Sequence, residues 1–369
     1  MSTAETTYKK IVFDSDVGFY ATLKQRVHER FPDLKTRKTG GWRMLPKTAI
    51  ILTTLVASYV FLVFFSTSVI STIIAAIALS QALVLVGFNL VHEGAHGSYC
   101  DNKKINWLMG STASFIGASQ MIWQHKHNVL HHTYTNVEEM DTDIQTNAIM
   151  RWSQLQEWRP WHRFQHLYAY PMYSMLTLQV IYSDFKRILS GRIGNYSLPK
   201  PSASQQATFW LTKIFYLGYA LVLPLFFNGW WQVLAVFVFI NLIAGVTLAA
   251  VFSLAHTVEG TTFPIPDPKS GAIEKEWAIH EVETTANFAP RSRIAAWYLG
   301  GLNSQIEHHL FPNVCHLHYP RIRRVVEETC RDFSVRYMSF PTFASALRSH
   351  YRHLKAMGQR SFVAPGVPG

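Results

Sequence analysis

Two stretches of the chain carry no charged side chain. Thr48 to Val91 runs for 44 residues without a Lys, Arg, Asp or Glu, and Ile214 to Val258 for another 45. A helix rises about 1.5 Å per residue and a bilayer core is about 30 Å thick, so each stretch is long enough to cross twice. Each is punctuated near its middle, the first by Ser66-Thr67-Ser68 and the second by Asn228-Gly229, followed by the interfacial anchors Trp230-Trp231. The pattern predicts two membrane hairpins, with helices over 48–65, 69–91, 208–227 and 231–256. A buried helix of a soluble protein rarely runs so far without a charge. Lys213 is the single charge inside these spans and lies near an end, where it is expected to snorkel to the interface.

Two further apolar stretches, Ile105–Trp123 and Phe164–Phe185, are short or interrupted, the second by Pro171. They read as interfacial or re-entrant helices. The segment Phe263–Pro268 is a proline-stiffened loop, and Ala364–Gly369 reads as a short disordered tail. The expected fold is all-α: four transmembrane helices under a helical cap. Its parts are an N-terminal segment (1–47), a membrane domain (48–325) and a C-terminal tail (326–369).

Composition sharpens this picture. Only 15% of the 369 residues are charged, against about 25% in average soluble domains. The net charge is +11, and the hairpin turns hold none of the 34 Lys and Arg. By the positive-inside rule both termini and the long central segment face the cytoplasm, as in a bacterial inner membrane. The basic residues are dispersed among 23 acids and form no nucleic-acid motif. Cys100, Cys315 and Cys330 are too few and scattered for a disulfide framework or a Cys-rich metal site. The polar N-terminus has no cleavable signal pattern.

The candidate chemistry lies in the histidines, which are absent from the spans until their cytoplasmic ends. His92-Glu93-Gly94-Ala95-His96 continues the second span, and its i, i+4 spacing puts both imidazoles on one helix face. His127-Asn128-Val129-Leu130-His131-His132 repeats the device, with His132 turned about 100° from His131 toward a neighbouring site. Gln305-Ile306-Glu307-His308-His309 gives an i, i+3, i+4 version with Gln first, and His256 closes the fourth span. Eight imidazoles exceed what one four-coordinate zinc takes and suit two metal ions in a nitrogen-rich setting.

Three His boxes in this order, split around the second hairpin, resemble those of the membrane fatty acid desaturases. QIEHHLFP at Gln305–Pro312 resembles the front-end (delta-5/delta-6, linoleoyl-CoA desaturase-like) branch, where Gln replaces the first His. WQHKHNVLHHTYTN at Trp123–Asn136 and HEVETTANF at His280–Phe288 are similar to bacterial members. The resemblance spans residues 40–325. It implies two iron ions, O2 as co-substrate, and removal of two hydrogens from a fatty acyl chain on CoA or a lipid. It also implies His92, His96, His127, His131, His132, His256, His308 and His309 as ligands. Gln305, a poorer iron donor than imidazole, binds through a water, leaves an open position for O2 or lines the site. His280, Glu307, Asp143 and Asn287, with Glu93 and Glu283, are the nearest candidates to line the site or orient the rings. His125 cannot share the helical face of His127. His316 and His318 read as structural or donor-docking residues, and His28, His162, His166, His350 and His353 as surface or interfacial ones.

The chemistry fits the residues. An unactivated C–H bond has no usable acidity, so acid–base groups alone cannot break it. Each desaturation also consumes two electrons from outside. The His-Pro-Gly-Gly haem signature of a fused cytochrome b5 is absent, so the expected donor is a separate ferredoxin or cytochrome b5 with its reductase. The net +5 of residues 1–47 suits docking of an acidic carrier. On the same scaffold the alternatives are an acyl hydroxylase, an acetylenase or a sphingolipid desaturase. A metal transporter would want ionisable groups at mid-membrane, where this chain has none.

Overall fold

The computed structural model describes residues 11–145 and 148–360. The tail read at Ala364–Gly369 lies outside the described residues. After α1 (Phe19–Arg30) come the first two long apolar helices, α2 (Gly41–Phe65) and α3 (Val69–His96). Between them Ser68 caps α3: its hydroxyl accepts from the Ser71 amide at 3.2 Å, and the Ser71 hydroxyl accepts from the Ser68 amide at 3.1 Å. Pro46 sits in the first α-helical turn of α2, where its missing N–H costs nothing. The second hairpin is α8 (Ala203–Leu225) and α9 (Trp230–His256), opened where the Gln232 amide oxygen accepts from the Gly229 N–H at 3.0 Å. The four helices overlap the four expected spans, and each is long and apolar enough to cross a membrane. This is an integral membrane protein.

Between the hairpins lie α4 (Lys103–Ser111), α5 (Gln120–Gln124), α6 (Gln165–Ser174, with Pro171 inside) and α7 (Leu176–Ser190). They leave large apolar side chains uncovered, including Trp107, Leu108, Tyr182 and Leu189. Lys213 does not snorkel. It is buried, with Nζ donating at 2.8 Å to Asp184 on α7 and at 2.5 Å to the Gly117 carbonyl, while Asp184 also accepts from the Ser119 amide. A buried ammonium needs such partners, and a carboxylate from another helix supplied what the sequence around Lys213 did not show.

The cap is built from α10 (Trp277–Glu283), α11 (Arg293–Tyr298), α12 (Gln305–Leu310), α13 (Tyr319–Asp332) and α14 (Phe343–Met357). Phe19, Leu23 and Val27 of α1 pack with Ile322, Val325 and Val326 of α13 and with Ile306 and Leu310 of α12. Among the described residues the strands are all two residues long. The parallel pair Asn287–Phe288 with Ser339–Phe340 ties the C-terminal region beside α12.

Three histidines expected at the surface or the membrane interface are buried in the protein instead. His350 on α14 meets the Tyr173 hydroxyl at 2.7 Å and the Thr257 carbonyl at 2.6 Å. The Nε2 atoms of His353 and His162 reach the Trp152 and Ala148 carbonyls at 2.7 and 2.8 Å. Each ring buries an apolar body because a carbonyl from a distant segment satisfies its N–H.

Candidate metal centre

The last turn of α3 carries His92 and His96. Box two follows α5 as a π-helical turn over His125–His131, and His132 comes next. His256 ends α9, and His308 and His309 lie on α12. All eight rings are buried, none more than 7% exposed. The ring nitrogens of His92, His96, His127 and His308 lie within 4.8 Å of one another, as do those of His131, His256 and His309. His132 joins the two groups, because its nitrogen lies equally close to those of His308 and His309. The wider π winding explains its place. Residues five apart come onto one side, and His127 and His132 face each other at 3.3 Å between Nε2 atoms.

These nitrogens lack ordinary partners. Nε2 of His96, His256 and His309 and Nδ1 of His92 and His132 are buried without a hydrogen bond. The Nε2 atoms of His92 and His308 face each other at 3.1 Å. Burying so many unpaired polar atoms is costly unless something takes their lone pairs. Burial also holds His127, His132, His308 and His309 well below the usual histidine range. Neutral imidazole is the form that binds metal, so the donor set fits a metal site.

Comparison with known proteins agrees. The family model for fatty acid desaturases matches residues 69–341. An sn-1 linoleoyl-lipid 6-desaturase of Synechocystis sp. is 35% identical over 96% of this chain and 99% of its own length. That of Arthrospira platensis is 36% identical over 95% and 96%. An acyl-lipid (8-3)-desaturase of Physcomitrium patens is 36% identical over 99% of this chain and 78% of its own. The chain belongs to the fatty acid desaturase family. The relatives agree with the front-end branch indicated by Gln305–Pro312.

Around the desaturase's ring cluster a second layer of groups holds the outer nitrogens. His131 Nδ1 lies 3.0 Å from Asp141 and 3.6 Å from Asp143. Burial disfavours the charged form of His131, but Asp141 outweighs it and raises the ring above its ordinary value. His309 Nδ1 meets Glu281 at 2.6 Å, His308 Nδ1 the Tyr319 hydroxyl at 3.1 Å, and His256 Nδ1 the Thr284 carbonyl at 3.3 Å. Such contacts fix each ring and aim its other nitrogen inward.

The expected lining residues divide. Asp143 touches this layer from an exposed position and is ion-paired with Lys126, which with His131 holds its carboxyl below the usual carboxylate range. Gln305 is buried on α12, one turn before His308 and His309. Glu307 is buried rather than superficial. It accepts from the Tyr337 hydroxyl and the Asn287 amide, both at 2.8 Å, and Asn287 in turn accepts from the Ile306 N–H. These two brace α12 rather than touch a ring. His280 lies outside the clusters, 3.7 Å from Glu281 with its ring against Phe13. Glu93 turns away to His316 at 2.8 Å and Ser98 at 2.7 Å, and Glu283 pairs with Lys275. His125 is half-buried and outside the clusters. Asp141, Glu281 and Tyr319 are the partners that sequence reasoning missed. The only hint was proximity: Asp141 is ten residues past His131, and Glu281 adjoins His280.

Proposed function

We propose that this desaturase removes two hydrogens from a fatty acyl chain at a diiron centre held by His92, His96, His127, His131, His132, His256, His308 and His309. The observation that carries the reading is the pair of adjacent nitrogen clusters with their buried, partnerless lone pairs. When bound, two irons and O2 supply the oxidant that an unactivated C–H bond requires. One saturated –CH2–CH2– unit, one O2, two electrons and two protons yield –CH=CH– and two waters.

The chain's own part is positional. Asp141, Glu281, Tyr319 and the Thr284 carbonyl set ring orientation, and the apolar residues of the surrounding helices exclude water from the reacting carbons. The substrate class is an acyl group on a lipid or CoA, with a cis bond introduced on the carboxyl side, of delta-6 or delta-5 type. The named relatives act on lipid-linked chains, which favours the lipid. The electrons come from a separate ferredoxin or cytochrome b5, and the centre faces the cytoplasm across a bacterial inner membrane.

Expression in cells fed linoleate, followed by gas chromatography of their lipids, tests this reading. A new O2-dependent double bond is expected, with two irons per chain by metal analysis. A hydroxylated product, or activity that persists without iron, would overturn it.

A further inference from the structure

Between the two hairpins, below the histidines, lies a cavity of about 360 Å3. Its walls come from all four membrane helices and are mainly apolar. Two π-helical turns, Phe61–Phe65 in α2 and Gly218–Val222 in α8, form part of it. A π turn gives up regular helix bonding, and here side chains from the other hairpin serve the backbone. The Tyr59 hydroxyl donates to the Tyr219 carbonyl at 2.5 Å, and the Asn228 amide donates to the Val63 carbonyl at 3.1 Å. The cavity is therefore a constructed feature, held open by bonds across it.

Its contents follow from its chemistry. Tyr219 and Thr177, which line it, spend their hydroxyls on the Phe115 and Asn241 carbonyls, so water finds few partners there. An empty apolar space of this size forfeits dispersion contacts on every wall. At roughly 30 Å3 per water-sized group, it accommodates about a dozen methylenes. Polar side chains gather at one rim, formed by Ser66, Thr67 and Gln232 at the end away from the histidines, with Ser66 bonded to Thr72 and the Gln232 oxygen to the Gly229 N–H. The opposite end stops at Leu83, Ile116 and Ala244. One turn further toward the histidines the packing is closed: a Cβ on Gly87 would sit 3.3 Å from Ile116 and 3.5 Å from Leu248.

We propose that this cavity binds one acyl chain of a bilayer phospholipid, inserted from the leaflet opposite the histidines and distinct from the chain that reacts. Its polar rim meets the lipid's ester and headgroup region, while the hydrocarbon bridges the two hairpins. The proposal needs only the membrane location and not the reaction assigned to the centre.

Photolabelling tests it. The full-length protein is reconstituted in phosphatidylcholine vesicles containing a phosphatidylcholine with a diazirine in one acyl chain, then irradiated and mapped. Ile240 is 9% exposed and lines the cavity, whereas Ile70 is 73% exposed on the outer surface. Bulk lipid alone labels Ile70 far more strongly; a seated chain labels Ile240 at least as strongly. Excess linoleoyl substrate should leave the Ile240 label unchanged. The double variant Ala220→Phe/Ala235→Phe fills the space and should cut that label about fivefold or more, with Ile70 unaffected. If the variant does not fold, the Ile240-to-Ile70 ratio in the unsubstituted protein decides. A ratio set by exposure alone, a label displaced by substrate, or one carried only by a diazirine acyl substrate would overturn the proposal.

Discussion

The two nitrogen clusters differ in what stands behind them. Behind His131, His256 and His309 are two acids and a carbonyl, namely Asp141, Glu281 and Thr284. Behind His92, His96, His127 and His308, among the described residues, one neutral hydroxyl, that of Tyr319, holds a single ring. A carboxylate behind a ring raises its basicity and fixes its orientation; a phenol does less. On the proposed diiron reading, the group of His131, His256 and His309 is therefore the firmer seat for a metal, and the other group the more exchangeable one. Two ions in adjacent sites need not be held alike, and this sequence invests its acids in one of them.

Experiments that remove shared ligands act hardest on this comparison. His132→Ala removes the ring that joins the two groups and is expected to abolish desaturation and empty the site, while the protein stays in the membrane. Retained product by gas chromatography would break the assignment. His309→Ala and His96→Ala should each end activity but separate in metal content. Losing His309 releases more metal than losing His96, as elemental analysis after dialysis against a weak chelator would read. Next come the acids. Glu281→Gln and Asp141→Asn are each expected to weaken metal retention by about 10–100-fold, with less effect on the fold; equal retention in both variants and the parent would erase the contrast. Tyr319→Phe, which removes one neutral hydrogen bond, should cost only about 1 kcal/mol and leave metal content nearly intact.

Acid provides the mildest probe, applied to chelator-stripped protein. The rings of His127, His132, His308 and His309 are depressed in the folded state, so the unfolded chain binds more protons. Folded stability then falls as pH drops below about 6.5, the ordinary histidine value, toward the depressed values. Thermal unfolding at pH 7 and pH 5 should show a lower midpoint at pH 5, and bound metal, which competes with protons for the same nitrogens, should keep or widen the difference. A midpoint independent of pH would contradict the buried neutral rings.

The membrane helices were legible because lipid tolerates no charge over their length, and the boxes because α-helical spacing fixes which imidazoles share a face. What escaped reading depends on partners far along the chain. Lys213 finds Asp184 on another helix, and His350 finds Tyr173 and Thr257. No local pattern distinguishes such a residue from a solvated one. The role of His132 depends on a π winding that the expected 100° turn from His131 does not describe. Glu307, bound by Asn287 and Tyr337, shows a charge inside a box bracing its helix instead of facing the centre.

That bracing has a consequence for how the protein is made. Tyr337 and His350 come late in the chain, yet one holds Glu307 beside His308 and the other grips the Thr257 carbonyl next to His256. Both membrane hairpins precede either clamp in the order of synthesis. The rings therefore wait, incompletely fixed, until the last helix arrives. On the proposed reading, loading with metal becomes a closing step of assembly, and a chain cut short after the third box is expected to lose its hold on the ions.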